Sequence, residues 1–238
     1  MMEITPLGDS ALIVRIQGTP KDAPEKTLRG VLTTMAAIEH ARIPGVIECA
    51  PAYTTVALFF DPAEAMRSGA NPGAITQWLE EKIRQAVDHP GKRRGPKPGE
   101  RLVEVPICCD REFALDLEQV AAHAGLAEDQ VVTLYCAAKY QVSCVGFTPG
   151  FPYLAGLPKQ LAMPRRSTPR QQIPPGSVAI GGAQAGIYPL LSPGGWNIIG
   201  RTPLTLFDPQ KDPPALFAPG DRVRFRLIPR SEFERSML

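Results

Sequence analysis

The chain has 238 residues with 26 Lys plus Arg against 24 Asp plus Glu; the formal net charge of +2 is too small to argue for a nucleic-acid partner. Apolar residues make up 44% and charged residues 21%, the balance of a soluble globular protein with one large domain or two modest ones. The opening MMEITPLGDSALIV lacks a basic, then apolar, leader pattern, no window approaches the ~18 consecutive apolar residues of a membrane span, and five cysteines, an odd number with Cys108 and Cys109 adjacent, do not make a secreted disulfide framework, so a cytoplasmic protein with reduced thiols is expected.

In chain order, LIVRI (12–16) reads as a strand. A helix follows with Leu28, Val31, Leu32, Met35 and Ile38 on one face and Pro44-Gly45 as its stop. VIECA and TTVALFF read as two strands, the second with Val56, Leu58 and Phe60 at period two. Asn71 as N-cap and Pro72 at the first helical position predict a second helix that buries Ile75, Trp78, Leu79 and Ile83. This β-α-β-β-α order predicts a small, ferredoxin-like α+β domain over residues 1–90. HPGKRRGPKPGER (89–101) has five Lys or Arg, three prolines and three glycines without apolar periodicity, and marks a solvated linker at 91–100.

The second domain, 101–238, opens on the strand LVEVPI. Asp116 and Gln119 have the spacing of a variant capping box, ahead of a helix with Leu117, Val120, Ala121 and Ala124 on one face and Gly125 as its end. A shorter helix groups Val131, Leu134, Tyr135 and Ala138. Beyond Tyr140 the short runs SVAI, WNIIG and LTLF alternate with Pro/Gly turns. The last strand, RVRFRLI, sends Val223, Phe225 and Leu227 inward and Arg222, Arg224 and Arg226 outward. Many short strands with two helices attached predict a closed β-barrel. The 26 prolines, more numerous than the 21 glycines, agree with such a loop-rich architecture.

Common chemistries are missing. His40, His89 and His123 lack metal-ligand spacing, Cys108-Cys109 is not a C-x-x-C pair, Gly91-Lys92 is followed by Arg93 rather than by a P-loop Ser or Thr, and neither Ser177 nor Ser192 sits in a G-x-S-x-G elbow. The remaining polar groups gather in a Pro/Gly-rich region. GFTPGFPYLAGLP (146–158) holds three prolines, three glycines and three aromatics; PRRSTPR (164–170) holds Arg165, Arg166 and Arg170; GGAQAGIYPLLSPGGWNIIGRTP (181–203) holds Gln184, Tyr188, Ser192, Trp196, Asn197 and Arg201. Arginines beside aromatics are the materials of a pocket for carboxylate or phosphate.

These runs, with IPPGSVAIGGAQAGIYP and SPGGW-x-x-IGRTPL-x-LFDP, together resemble one family over nearly the whole chain. Its members are the B subunits of ATP-dependent 5-oxoprolinases, allophanate hydrolase subunit 1 and the kinase inhibitors of sporulating bacteria. GDSALIV (8–14), APAYTTV (50–56) and VEVPICCD-x-x-FALDLEQVA (103–121) extend the resemblance. It implies a small α/β domain followed by a cyclophilin-like β-barrel. It also implies a direct partner, the 5-oxoprolinase C subunit, and a further A subunit, with which the chain would use ATP to open the lactam of 5-oxoproline to glutamate; no nucleic acid and no membrane enter this scheme. Tyr153, Arg165, Arg170, Gln184, Tyr188 and Arg201 are the expected substrate-binding residues, with Phe151 and Tyr153 at the pocket rim and no metal. Where the family usually has histidine in the second helix of this half, the chain has Tyr135, so no acid-base role is carried to it. Cys136 and Lys139 replace commoner Ser/Thr and Glu, and Arg166 stands in a usually apolar place. Two other roles remain open in this family: inhibition of a sensor histidine kinase, and half of a urea- or allophanate-related carboxyltransferase, with biotin on another chain.

Overall fold

In the computed structural model residues 2–16, 24–90 and 101–237 are described, and the chain divides into two units, Met1–Pro98 and Gly99–Leu238. The linker expected at 91–100 lies outside the described residues. The first unit runs β1 (Met2–Pro6), β2 (Ala11–Ile16), α1 (Pro24–Ala41), β3 (Val46–Ala52), β4 (Thr55–Phe60), α2 (Pro62–Arg67) and α3 (Ile75–Asp88). Its sheet has the order β1-β2-β4-β3, with every neighbour antiparallel. Strands β2 and β3 therefore run the same way with β4 between them, so α1 makes the split crossover of a ferredoxin-like layer. The outer place beside β2 is taken by β1, which has too few apolar residues to stand out in the sequence. Leu12, Val14, Val56, Leu58 and Phe60 alternate inward, as the period-two pattern requires, and pack on Val31, Ile38, Leu79 and Ile83.

Two helix starts differ from expectation. Asn71 does not cap α3: its Oδ1 accepts the Gly73 N–H at 3.0 Å, and this local turn delays the helix until Ile75. A short helix that the sequence pattern did not suggest, α2, has its own cap, Asp61, whose Oδ1 accepts the N–H groups of Ala63 at 2.8 Å and Glu64 at 3.3 Å.

The second unit contains β5 (Leu102–Ile107), α4 (Leu117–Ala124), α5 (Glu128–Ala137), β6 (Tyr140–Val145), β7 (Pro152–Ala155), a 3₁₀ turn (Lys159–Leu161), β8 (Arg170–Ile173), β9 (Ser177–Gly181), β10 (Gln184–Ile187), β11 (Ser192–Gly194), β12 (Asn197–Arg201), β13 (Arg222–Leu227) and α6 (Arg230–Ser236). Seven strands form one sheet, β12-β9-β10-β7-β6-β13-β5, and β8 pairs with β11 as a separate ribbon. The sheet's two ends meet just beyond β5. Cys108 N–H donates to Arg201 O at 2.8 Å and Arg201 N–H to Cys108 O at 2.9 Å, a single antiparallel bridge that closes the barrel. Gly200 makes the approach possible, because a Cβ there would stand 2.8 Å from both the Cys108 carbonyl oxygen and Ile107 Cδ1.

Inside the barrel, Val178, Ile180, Ala185, Ile187, Leu154, Val142, Val223 and Phe225 meet Val120, Val131 and Tyr135 from α4 and α5. Tyr135 takes a core place: its ring lies 4.9 Å from Phe225 and 5.2 Å from Tyr140, and burial pushes its phenol far above the usual range. Three expectations fail here. Leu227 is 54% exposed instead of inward, because the chain turns at the end of β13 and Ile228 takes the buried place, its N–H on Ile107 O at 2.9 Å. LTLF (204–207) forms no strand; Leu206 is buried, and Phe207 makes only an isolated bridge to Ala215. After β13, helix α6 was not foreseen, and its Phe233 packs with Cys108 and Ile228.

Replacing Gly200 with alanine is expected to cost about 1–3 kcal/mol in urea unfolding, since the clash is with backbone and a packed isoleucine. In contrast, Tyr135→Phe should leave stability unchanged or raise it, because the buried Tyr135 hydroxyl makes no well-formed hydrogen bond, only a loose approach to Tyr140. A loss above about 1 kcal/mol in that variant would show that the hydroxyl is satisfied in solution.

Candidate functional site

The barrel strands have a second, outer face. On β9, Val178 and Ile180 enter the barrel core while Ala179 points the other way; on β12, Ile199 enters it and Ile198 does not. Over this outer face Phe151, Tyr188 and Trp196 form a buried aromatic cluster with Ile173 from the β8 ribbon and the half-buried Tyr153. The rings stand edge-on or tilted: Phe151 is 5.2 Å from Tyr188, 5.5 Å from Trp196 and 4.9 Å from Tyr153. Gly186 lets them lie on the sheet, since a Cβ there would come within 2.7 Å of Phe151 Cζ and 2.9 Å of Trp196 Cζ3. Phe151 is thus the floor of the site and not its rim, contrary to the sequence expectation; the buried outer face of the sheet claims it.

The rim belongs to Phe147. The turn from Gly146 to Phe151 is held by Gly146 N–H on Phe151 O at 3.0 Å and Phe151 N–H on Thr148 O at 3.1 Å. Within it Phe147 has φ +69°, in the left-handed region that a β-substituted residue enters at a cost of about 1–3 kcal/mol. Its ring is 62% exposed and stands edge-on to Phe151 at 5.7 Å.

The loop 164–169 closes the other side. Asn197 Nδ2 donates to Pro164 O at 2.9 Å, and Arg166 N–H donates to Gly195 O at 2.7 Å. The Arg165 guanidinium then lies 5.8 Å from the Trp196 ring. The resulting partly open cavity is about 180 Å³, lined by Phe147, Phe151, Tyr153, Arg165, Tyr188 and Trp196 among others. Burial raises the Tyr153 phenol, with a smaller opposing pull from Arg165, and burial also raises Tyr188 against a hydrogen bond with the Trp196 backbone. Both phenols are neutral at pH 7 and able to donate. The site thus combines two arginines, Arg165 and the Asp116-bound Arg166, with neutral hydroxyls and an apolar wall.

Asp116 holds the loop in place. It is fully buried, and its carboxylate accepts from Arg170 Nη1 at 2.7 Å and Nη2 at 2.8 Å, Arg166 Nη1 at 2.6 Å and the Ile198 N–H at 2.8 Å. It makes no side-chain cap to α4, so the predicted capping box is absent: two guanidinium partners outcompete the helix's own N–H groups. Among the described residues, the reciprocal Gln bond of a capping box occurs instead at α5, where Ala127 N–H donates to Gln130 Oε1 at 2.9 Å. Burial pushes the Asp116 carboxyl upward, but the Arg170 and Ile198 hydrogen bonds, with the Arg170 and Arg166 charges, outweigh it and the net shift is downward.

Of the residues expected from sequence, Tyr153, Arg165 and Tyr188 come together around the cavity. Arg170 is committed to Asp116 behind the loop. Gln184 starts β10, opposite Gly181, and is not among the cavity-lining residues. Arg201 lies at the barrel seam, its Nε on Pro175 O at 2.8 Å and its guanidinium 5.9 Å from Phe113 and 5.8 Å from Phe233. Phe147 and Asp116 were missed; the signal for Asp116 was an arginine-rich PRRSTPR stretch with no carboxylate of its own.

Comparison with known proteins gives a consistent picture. The family model for the carboxyltransferase domain, subdomain C and D, matches residues 2–217. Two proteins named as the B subunit of 5-oxoprolinase are similar over almost their full length: one from Bacillus subtilis (strain 168) is 39% identical over 97% of this chain and 95% of its own, and one from Escherichia coli O157:H7 is 38% identical over 95% of both. Among solved structures, TTHA0988 superposes with a TM-score of 0.73 at 34% identity over 92% of this chain, which spans 40% of the TTHA0988 chain. The Kluyveromyces lactis urea amidolyase, at 20% identity and a TM-score of 0.73 over 98% of this chain and 15% of its own, shares the fold. Among the described residues no helix is long and apolar enough to cross a membrane, and no cluster of potential metal ligands occurs.

Changing Asp116 to asparagine should cost about 3–5 kcal/mol in urea unfolding at pH 7, because Arg166 and Arg170 lose their shared counter-charge. The carboxyl's folded value lies below its ordinary 3.8, so its contribution is complete above that value and is lost as the pH falls through the lowered one. The difference between wild type and variant should accordingly shrink toward acid; a difference that stays constant down to about pH 2 would contradict the assignment.

Proposed function

This chain belongs to the carboxyltransferase-domain family, subdomains C and D, and on that footing we propose that it is the B subunit of an ATP-dependent 5-oxoprolinase. In this reading it helps convert 5-oxoproline to glutamate in the cytoplasm, bound directly to a C subunit and working with an A subunit. The observation that carries the proposal is the near-full-length similarity, at 39% and 38% identity, to proteins of that name. The cavity supports it chemically. A five-membered lactam bearing one carboxylate needs a cation at one end, donors for a carbonyl and flat apolar walls between.

Arg165 pairs with the carboxylate as a planar fork. The neutral Tyr153 hydroxyl donates to the lactam carbonyl and favours charge building on that oxygen as the ring opens. Phe147, Phe151, Tyr188 and Trp196 exclude water and fix the ring plane. Arg170 serves through Asp116 by holding the loop that carries Arg165. ATP does not fit here: about 180 Å³ falls below the roughly 300–1,000 Å³ of pockets for larger ligands, and the chain has no P-loop sequence. We therefore place nucleotide binding outside this cavity.

The test is phosphate release from ATP, with and without 5-oxoproline, by this chain alone and mixed with A and C subunits from the same genome. Activity is expected only in the mixture. Arg165→Ala should then raise KM for 5-oxoproline by the equivalent of about 1.5–3 kcal/mol, and Tyr153→Phe should act mainly on kcat. A stable ternary assembly with no lactam-dependent hydrolysis would refute the reading, and hydrolysis driven by urea would move the chain to the urea-processing branch.

A further inference from the structure

The 163–168 loop has a second face. Toward the aromatic cluster it closes the substrate cavity; toward α4 it forms a separate open cleft of about 490 Å³. Gln119, His123, Met163, Arg165, Ser167 and Thr168 are among its lining residues, together with Arg166. The charge here is unbalanced. Arg166 and Arg170 share one carboxylate, Asp116, and among the described residues no ion pair is made by Arg165. Arg166 gives Nη1 to Asp116 at 2.6 Å and lies 3.5 Å from Gln119 Oε1, yet its Nε is buried with no acceptor. That buried Nε is out of reach of the cleft; what Arg166 presents there is the exposed remainder of its part-buried guanidinium, beside the exposed Arg165. Among the described residues the exposed Ser167 and Thr168 also have N–H groups and hydroxyls with no hydrogen-bond partner.

We propose that this cleft is an anion subsite for a phosphate or phosphoryl group, held by Arg165, Arg166 and the Ser167–Thr168 segment beside the substrate cavity. A tetrahedral dianion offers oxygens in several directions, which suits two guanidinium groups and a turn rich in hydroxyl and N–H donors. A planar carboxylate would use fewer of them. Asn197 pins one end of the loop through Pro164 O, and Asp116 holds the Arg166 and Arg170 guanidinium groups, so the donors are set before the anion arrives. Arg165 lines both cavities, so it can address a carboxylate on one side and a phosphoryl oxygen on the other. The inference rests on the ATP-dependent reading for its biological sense, since ATP cleavage releases such a group, but its chemistry is testable alone.

The experiment uses the full chain and inorganic phosphate, with binding followed by calorimetry and 31P line width, and 5-oxoproline binding measured in parallel. Wild type should bind phosphate, and the double variant Ser167→Ala/Thr168→Val should bind it at least tenfold more weakly while keeping its affinity for 5-oxoproline. Arg166→Gln should weaken phosphate binding likewise, with its fold checked by circular dichroism. Phosphate binding that is undetectable, unchanged in the double variant, or displaced one-for-one by 5-oxoproline would overturn the subsite. Phosphate binding as described, in a chain that supports no lactam-dependent hydrolysis with its partners, would leave the subsite standing and remove the oxoprolinase reading instead.

Discussion

One carboxylate organises the second unit's outer surface. Asp116 sits at the start of α4 and accepts from the β12 backbone and from both arginines that flank Ser167–Pro169. Removing an aspartate from water is expensive, and a buried ion pair is often no better for stability than a well-packed apolar pair. What the cluster supplies is position. The bidentate Arg170 contact admits few geometries, so the loop has a defined path over the sheet instead of the freedom usual for a proline-rich surface segment. Arg165, between the two anchored neighbours Pro164 and Arg166, inherits that path.

The barrel sheet serves two purposes at once through simple alternation. Residues entering the barrel make a core with α4 and α5, while their immediate neighbours on β9, β10 and β12 carry the aromatic cluster. Substitutions in the cluster therefore reach the barrel through a single peptide unit. The candidate site is built on strands as much as on loops, which favours fixed geometry over adaptability.

Much of this was legible in the sequence where partners are local. The period-two pattern at Val56, Leu58 and Phe60 and the face of α1 follow from covalent geometry, and the structure keeps them. Where partners are distant, local reading failed. Asp116 has the spacing of a helix cap, and only Arg170, 54 residues away, shows that it is something else. Asn71 followed by proline looked like a helix start, but the Asn71 side chain accepts the Gly73 N–H and closes a turn first. Of the six residues expected to bind substrate, the aromatic and arginine types alone could not separate Arg165, which reaches the cavity, from Arg201, which lies beside the packed pair Phe113 and Phe233 at the seam. Phe147 escaped notice because backbone strain has no compositional signature.

That strained phenylalanine has a consequence for selectivity. Its left-handed backbone is held by the Gly146–Phe151 turn, so the main chain that carries the exposed ring has a defined place at the cavity mouth. If the cavity takes the proposed five-membered lactam, a homologous six-membered ring would have to displace a segment tied by two backbone hydrogen bonds. Rejection would come from the stiffness of the doorway, even where every polar contact inside could still form.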